Sequence, residues 1–169
     1  ERSVIRIEID SNVNYNIVAE TPDIKGKGTK PILSWEEYLK NIVESEYIQI
    51  LNDFRNKWIK DIEDSINMGQ VGFSTGVILQ GKRIPIQFVY DSHIDLLSEK
   101  MKTSYNISDI LYQKYLEEIK KSDILYDKYI ASNRVRVHFK DIDAEKLKII
   151  LTAAHNLGIE LKKLNKEYV

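Results

Sequence analysis

The chain has no cysteine, three prolines and seven glycines in 169 residues, and no apolar run near the ~20 residues that cross a bilayer. Without thiols there is no disulfide, no thiol nucleophile and no zinc site built on thiolates, which fits a reducing, cytoplasmic setting. Net charge is equally scarce. The 25 basic and 26 acidic side chains leave -1, so the molecule as a whole has no pull toward nucleic acid or anionic lipid. Residues Glu1 to Ile5 do not read as a signal peptide, and a preceding segment is expected. What is present is 43% hydrophobic and 30% charged residues with a mean hydropathy of -0.36, the balance of a globular domain. A chain of this length buries roughly 70% of its unfolded surface and needs no staples.

Ile5, Ile7 and Ile9 alternate with Arg6, Glu8 and Asp10, a period of two that predicts a half-buried strand. Asp10-Ser11-Asn12 is turn chemistry, and the alternation that follows completes a hairpin. Periodicity then stops. Residues 19–33, with Pro22, Gly26, Gly28 and Pro31, read as an exposed connector, so 1–33 is set apart from a compact domain over 34–169.

Ser34-Trp35-Glu36-Glu37 is a capping box that starts a helix. Tyr47, Leu51, Phe54, Trp58, Ile62 and Ile66 recur at three- and four-residue steps and predict a long amphipathic helix ending near Met68-Gly69. A hairpin follows. If Gln80 to Arg83 form its loop, Leu79/Ile84, Val77/Ile86, Thr75/Phe88 and Phe73/Tyr90 pair, and one face becomes almost wholly apolar. The four-residue loop also turns the missing N–H of Pro85 outward, with an edge or a bulge near it. Ser108 caps a helix carrying Leu111, Tyr115 and Ile119; Val135, Val137 and Phe139 mark a final strand; Asp143 caps a last helix closed by Gly158. The order β-β-α-ββ-α-β-α predicts an α+β fold with a mixed, mainly antiparallel sheet backed by helices.

Charge is distributed unevenly. Segments 34–69 and 91–133 carry four basic against eight acidic and six against eight side chains, whereas 70–90 carries two against none and 134–169 eight against five. Arg83, Arg134, Arg136 and Lys140 are therefore expected on one sheet face as a phosphate-contacting strip, with Lys25, Lys27 and Lys30 of the connector beside it. Strands also expose basic residues merely to protect their edges, and this strip has no interleaved aromatic residues to stack bases.

Gly26-Lys27-Gly28-Thr29-Lys30 lacks the spacing of a phosphate-cradling loop and reads as a solvated linker. Asp91, His93 and Asp95 share a face if extended, which could hold a divalent ion; alternatively, Ser92 or Asp95 only caps the next helix. No serine nucleophile elbow is present, since Gly72-Phe73-Ser74-Thr75-Gly76 lies in a strand, where its glycines permit a bulge or a close approach. No catalytic residue is identified.

Ser34-Trp35-Glu36-Glu37-Tyr38-Leu39, the long helix, Val71-Gly72-Phe73-Ser74 and Arg83-Ile84-Pro85-Ile86-Gln87-Phe88 resemble the C-terminal region of a group of uncharacterised bacterial proteins, some with a restriction-endonuclease-like segment in front. The resemblance spans about Ser34 to Leu161 and departs at Gln70-Val71-Gly72, where the group tends to have a tryptophan-glycine pair. It implies an accessory domain of a DNA-related protein. The expectation is a non-enzymatic binding module that contacts nucleic acid, without a cofactor and without a membrane. A metal-dependent hydrolase or nuclease at Asp91, His93 and Asp95 and a protein-interaction or dimerisation domain are the alternatives. Assembly is expected as a monomer, or as an anion-dependent dimer through the Arg134 to Phe139 strand.

Overall fold

The computed structural model describes residues 6–9, 15–18, 31–64, 66–124 and 135–167. The chain divides into two units, Glu1–Pro31 and Ile32–Val169. In the first, β1 (Arg6–Ile9) and β2 (Tyr15–Val18) pair antiparallel with Ile7 opposite Ile17, the hairpin the alternation predicts.

The second unit opens with α1 (Trp35–Leu39), whose capping box is complete: the Glu37 N–H donates to Ser34 Oγ at 3.1 Å and the Ser34 N–H to Glu37 Oε2 at 2.7 Å. The chain breaks before α2 (Ser45–Ile62), so the two helices are not continuous. Helix α2 stops at Glu63, which takes the left-handed conformation with φ 62°, several residues before the expected Met68-Gly69. Asn67–Met68 instead form an edge strand, β3.

Strands β4 (Gly72–Leu79), β5 (Lys82–Tyr90), β6 (His93–Leu96) and β7 (Val135–His138) continue the sheet in the order β3-β4-β5-β6-β7, with every pair antiparallel. Strand β3 is too short to pair the far end of β4. There the buried Asp64 carboxylate takes over, accepting from the Ile78 N–H at 2.9 Å and from Lys162 Nζ at 2.9 Å.

The β4–β5 hairpin differs from the expected register. Its turn has two residues, Gln80 (φ 50°) and Gly81 (φ 75°), the positive pair that matches strand twist, and Leu79 pairs Lys82. Counting inward, Gly76/Pro85 is a pair without ladder hydrogen bonds, so the missing Pro85 N–H faces away from β4. On the other side β6 pairs only Phe88 and Val89, so nothing is lost there either. A bulge between Thr75 and Gly76 inserts one residue on β5, after which Thr75 opposes Gln87 and Ser74 opposes Phe88. Ile86 and Gln87 are thus both buried, while Phe88 and Tyr90 turn to the opposite face from Val89. Gly76 is required at this point, because a Cβ would lie 2.6 Å from the Ile84 carbonyl oxygen.

After β6 come α3 (Glu99–Ser104) and α4 (Asp109–Lys120), capped by Ser98 and Ser108. Following β7 and a short 3-10 turn (Phe139–Asp141), Asp143 Oδ1 accepts the Lys146 N–H at 2.9 Å and opens α5 (Ala144–Glu167). Helix α5 packs on β4 and β5 and is flanked by α2 and α4. Leu147, Ile150, Leu151, Ala154, Leu157 and Leu161 form its buried stripe against Leu51, Phe54 and Trp58 of α2, Tyr115 and Ile119 of α4, and Phe73, Val77, Ile84 and Val89 of the sheet. Gly158 does not close this helix. It is the notch that admits α2, since a Cβ there would meet Ile62 Cδ1 at 2.5 Å and Trp58 Cη2 at 3.0 Å.

Candidate functional site

Helices cover one face of the sheet. The other face presents partly buried or exposed side chains, with only Gly72, Gly76 and Asp95 buried among the described residues. Register arranges it in two rows across β5, β6 and β7. One reads Tyr90, His93, His138 and the next Phe88, Asp95, Arg136. In the first row the Tyr90 and His93 rings are stacked at 4.4 Å, and His93 and His138 follow at 5.6 Å. In the second, Arg136 Nε and Nη2 donate to the two oxygens of Asp95 at 2.7 and 3.0 Å, a bidentate pair. That bond holds the guanidinium charged, above its usual range.

His93 is enclosed. Its Nδ1 lies 3.0 Å from Ser92 Oγ, and its Nε2 is buried without a hydrogen bond, 3.9 Å from Asp95 Oδ1. Burial, then the Arg136 charge, hold the imidazole below its usual pKa against the opposing pull of Asp95, so it is neutral near pH 7. A neutral ring stacked face to face on Tyr90 covers one side of each ring and adds no charge to the row.

The expected basic strip is realised in part and differs in character. Arg83 is on this face, but its guanidinium crosses Gly76 and donates to the Ser74 carbonyl at 3.0 Å. Burial lowers its pKa, and Asp64 opposes the shift. Arg136 is tied to Asp95, and Lys140 is exposed on the 3-10 turn beyond β7. Arg134, Lys25, Lys27 and Lys30 lie outside the described residues, as does the glycine-containing loop. Both placed arginines therefore carry internal partners. The aromatic side chains that the strip was expected to lack are present, because the bulge turns Phe88 and Tyr90 onto the face. The sequence signal for this is Gln80-Gly81, an X-Gly dipeptide suited to a two-residue turn, together with the Gly76 and Pro85 pair.

The proposed metal set also differs from expectation. Asp91 is exposed in the β5–β6 turn, while His93 and Asp95 are extended on one face of β6, and the next helix is capped by Ser98, not by Ser92 or Asp95. Asp95 is occupied by Arg136. Among the described residues no three His, Asp or Glu side chains converge as a metal site.

Phe88 and Tyr90 separate two depressions. One, about 210 Å³, opens toward β3 and β4; the other, about 460 Å³, lies between β5 and α3. A second imidazole and carboxylate meet elsewhere, between α2 and α5: His155, 2% exposed, has Nε2 3.1 Å from Asp61 Oδ2. Burial and Lys57 hold that imidazole below its usual pKa against Asp61. It lines a cavity of about 140 Å³ with Asp53, Lys57, Lys148 and Thr152. No protein-family model, curated protein or solved structure matches the chain, so the chemistry of the open face rests on its own residues.

Proposed function

We propose that the Ile32–Val169 unit is a non-enzymatic binding module whose open sheet face takes single-stranded nucleic acid. One observation supports this above all: Tyr90, His93 and His138 form a continuous row of rings beside Phe88 and Arg136. Unstacked bases have flat faces that aromatic rings accept without regard to sequence, at roughly 1–3 kcal/mol per base. Duplex offers no such faces, so a ring-lined sheet favours single strands. Arg136 uses Nε and Nη2 on Asp95, and its Nη1 donors remain for a phosphate. The resemblance of Ser34 to Leu161 carries the wider proposal, an accessory module of a bacterial DNA-related protein working in the cytoplasm.

Fluorescence anisotropy with labelled 12-nucleotide DNA and RNA tests the reading. At about 50 mM salt, where phosphate contacts are strong, single strands should bind more tightly than duplex. Tyr90→Ala should weaken binding by about 5- to 150-fold. Arg136→Ala should reduce the log–log salt slope by about 0.7. Absence of binding to every strand at that salt overturns the proposal.

A second reading rests on the sheet order, which leaves β7 at an edge among the described residues. Two antiparallel copies of β7 would bring Arg136 side chains near their symmetry mates, so pairing there would require an intervening anion. A dimer that forms in light scattering only with phosphate, sulfate or nucleic acid would support this assembly; a dimer stable without polyanions would refute it.

A further inference from the structure

The larger depression beside Tyr90 has a composition that its neighbour lacks. On the sheet side it is bounded by Phe88, Tyr90 and Asp95, and on the α3 side by Lys100, Met101 and Tyr105, enclosing about 460 Å³. The smaller one, toward β3 and β4, has no charged side chain. The larger groove thus joins flat apolar surfaces, an acceptor and a cation within the volume range of small-ligand sites.

Two details bear on what fits. Lys102, also on α3, is held by Glu99 and Asp109, whereas Lys100 is exposed and has no hydrogen bond or ion pair among the described residues. Asp95 accepts one N–H of Arg136 on each oxygen. A carboxylate has about four acceptor sites, so its lone pairs are not exhausted and call for a donor on the ligand.

We infer that this groove is a subsite for one unstacked nucleotide, with its base against Phe88, Tyr90 and Tyr105, a donor on the base edge bonded to Asp95, and its phosphate on Lys100. The inference rests on the binding-face reading and adds to it a defined place for a single base. Met101 supplies a polarizable thioether at the side of the ring, a favourable neighbour for an aromatic edge. The bidentate Arg136 positions the Asp95 carboxylate and so orients the acceptor for the base.

Titration of the folded protein with AMP, followed by amide NMR signals, tests it. Saturable shifts are expected at Lys100, Met101 and Tyr105. Tyr105→Ala should weaken AMP by about 5- to 150-fold. Lys100→Ala, an exposed substitution that leaves the core untouched, should weaken AMP but not adenosine. Purine riboside 5′-monophosphate, which lacks the exocyclic amine, should bind about tenfold or more weakly than AMP, the scale of a hydrogen bond to a charged group. No saturable shift with AMP, or shifts indifferent to both substitutions, overturns the subsite. If 12-nucleotide strands still bind in that case, the face reading stands alone. Saturable AMP binding with strands binding no more tightly than AMP would instead retain the subsite and remove the nucleic-acid reading.

Discussion

Arg136 and Asp95 stand directly opposite each other on β7 and β6, with both Asp95 oxygens taken by one guanidinium at 2.7 and 3.0 Å. Their side chains are 36% and 12% exposed, so the carboxylate is the more enclosed partner. Removing the arginine strands that carboxylate, whereas removing the aspartate leaves a guanidinium that still reaches water. Arg136→Ala should therefore cost more stability than Asp95→Ala, about 1–2 kcal/mol against less than 1, after allowing for screening at a partly exposed pair. The double variant should lose less than the two singles together, a coupling on the order of 1 kcal/mol in urea melts. Strict additivity would show that the two side chains are not energetically coupled.

Gly158 faces Ile62 Cδ1 and the Trp58 ring, and these contacts oppose the usual benefit of alanine in a helix. Alanine gains about 1 kcal/mol of helix propensity over glycine, but overpacking a close contact costs about 1–3 kcal/mol. Gly158→Ala should be net destabilising. Ile62→Val removes the nearest obstructing atom, so the double variant should be more stable than the sum of the single effects predicts. Thermal melts that show Gly158→Ala stabilising would refute the tight notch.

His155 and His93 give a pH prediction with a definite sign. Burial, first of all, lowers both pKa values below the ordinary 6.5. The unfolded chain takes up these protons as pH falls through about 6.5 while the folded chain resists, so the unfolded state binds more protons and stability declines. The contribution is fully present above that pH and is lost toward the lowered folded values. Denaturation series between pH 7.5 and 5 should show this decline, reduced in His155→Gln and in His93→Gln. An unchanged slope in both variants would exclude these imidazoles as its source.

The hairpin turn offers a stabilising change. Gln80 has φ 50° before Gly81 at 75°, a conformation asparagine tolerates better than glutamine. Gln80→Asn should raise stability by about 0.5 kcal/mol, a fraction of the roughly 1–3 kcal/mol that a non-glycine residue in the left-handed region costs. A fall in the melting temperature would argue against this turn.

Elements whose signal is local are legible in the order of residues alone. The capping box at Ser34 and Glu37, the stripe from Tyr47 to Ile62, the Ser108 and Asp143 caps and the alternation in Val135 to Val137 each depend on residues within a turn or a strand of one another. Side-chain periodicity and capping chemistry determine these, and they suffice for an α+β class with helices behind a sheet. The glycines at 72 and 76 are legible as places of close approach for the same reason.

The candidate site is not, because its composition depends on a register that neighbouring residues do not dictate. With a four-residue loop, Phe88 and Tyr90 belong to the core; with the two-residue Gln80-Gly81 turn and one bulge, they face outward beside Arg136. A shift of one residue reverses a strand's faces, and what selects among the shifts is how Ile84, Ile86 and Val89 pack under α5. Likewise Gly158 has the letters of a helix stop, yet α5 continues because the missing Cβ lets Trp58 and Ile62 approach. Sequence by itself determined most of the segments that coil or extend, through short-range backbone and capping energetics, but not the short strand Asn67–Met68, which pairs with β4 where the helical stripe was expected to continue. Tertiary packing alone decided which side chains share the open face, since burial is settled only when distant elements meet.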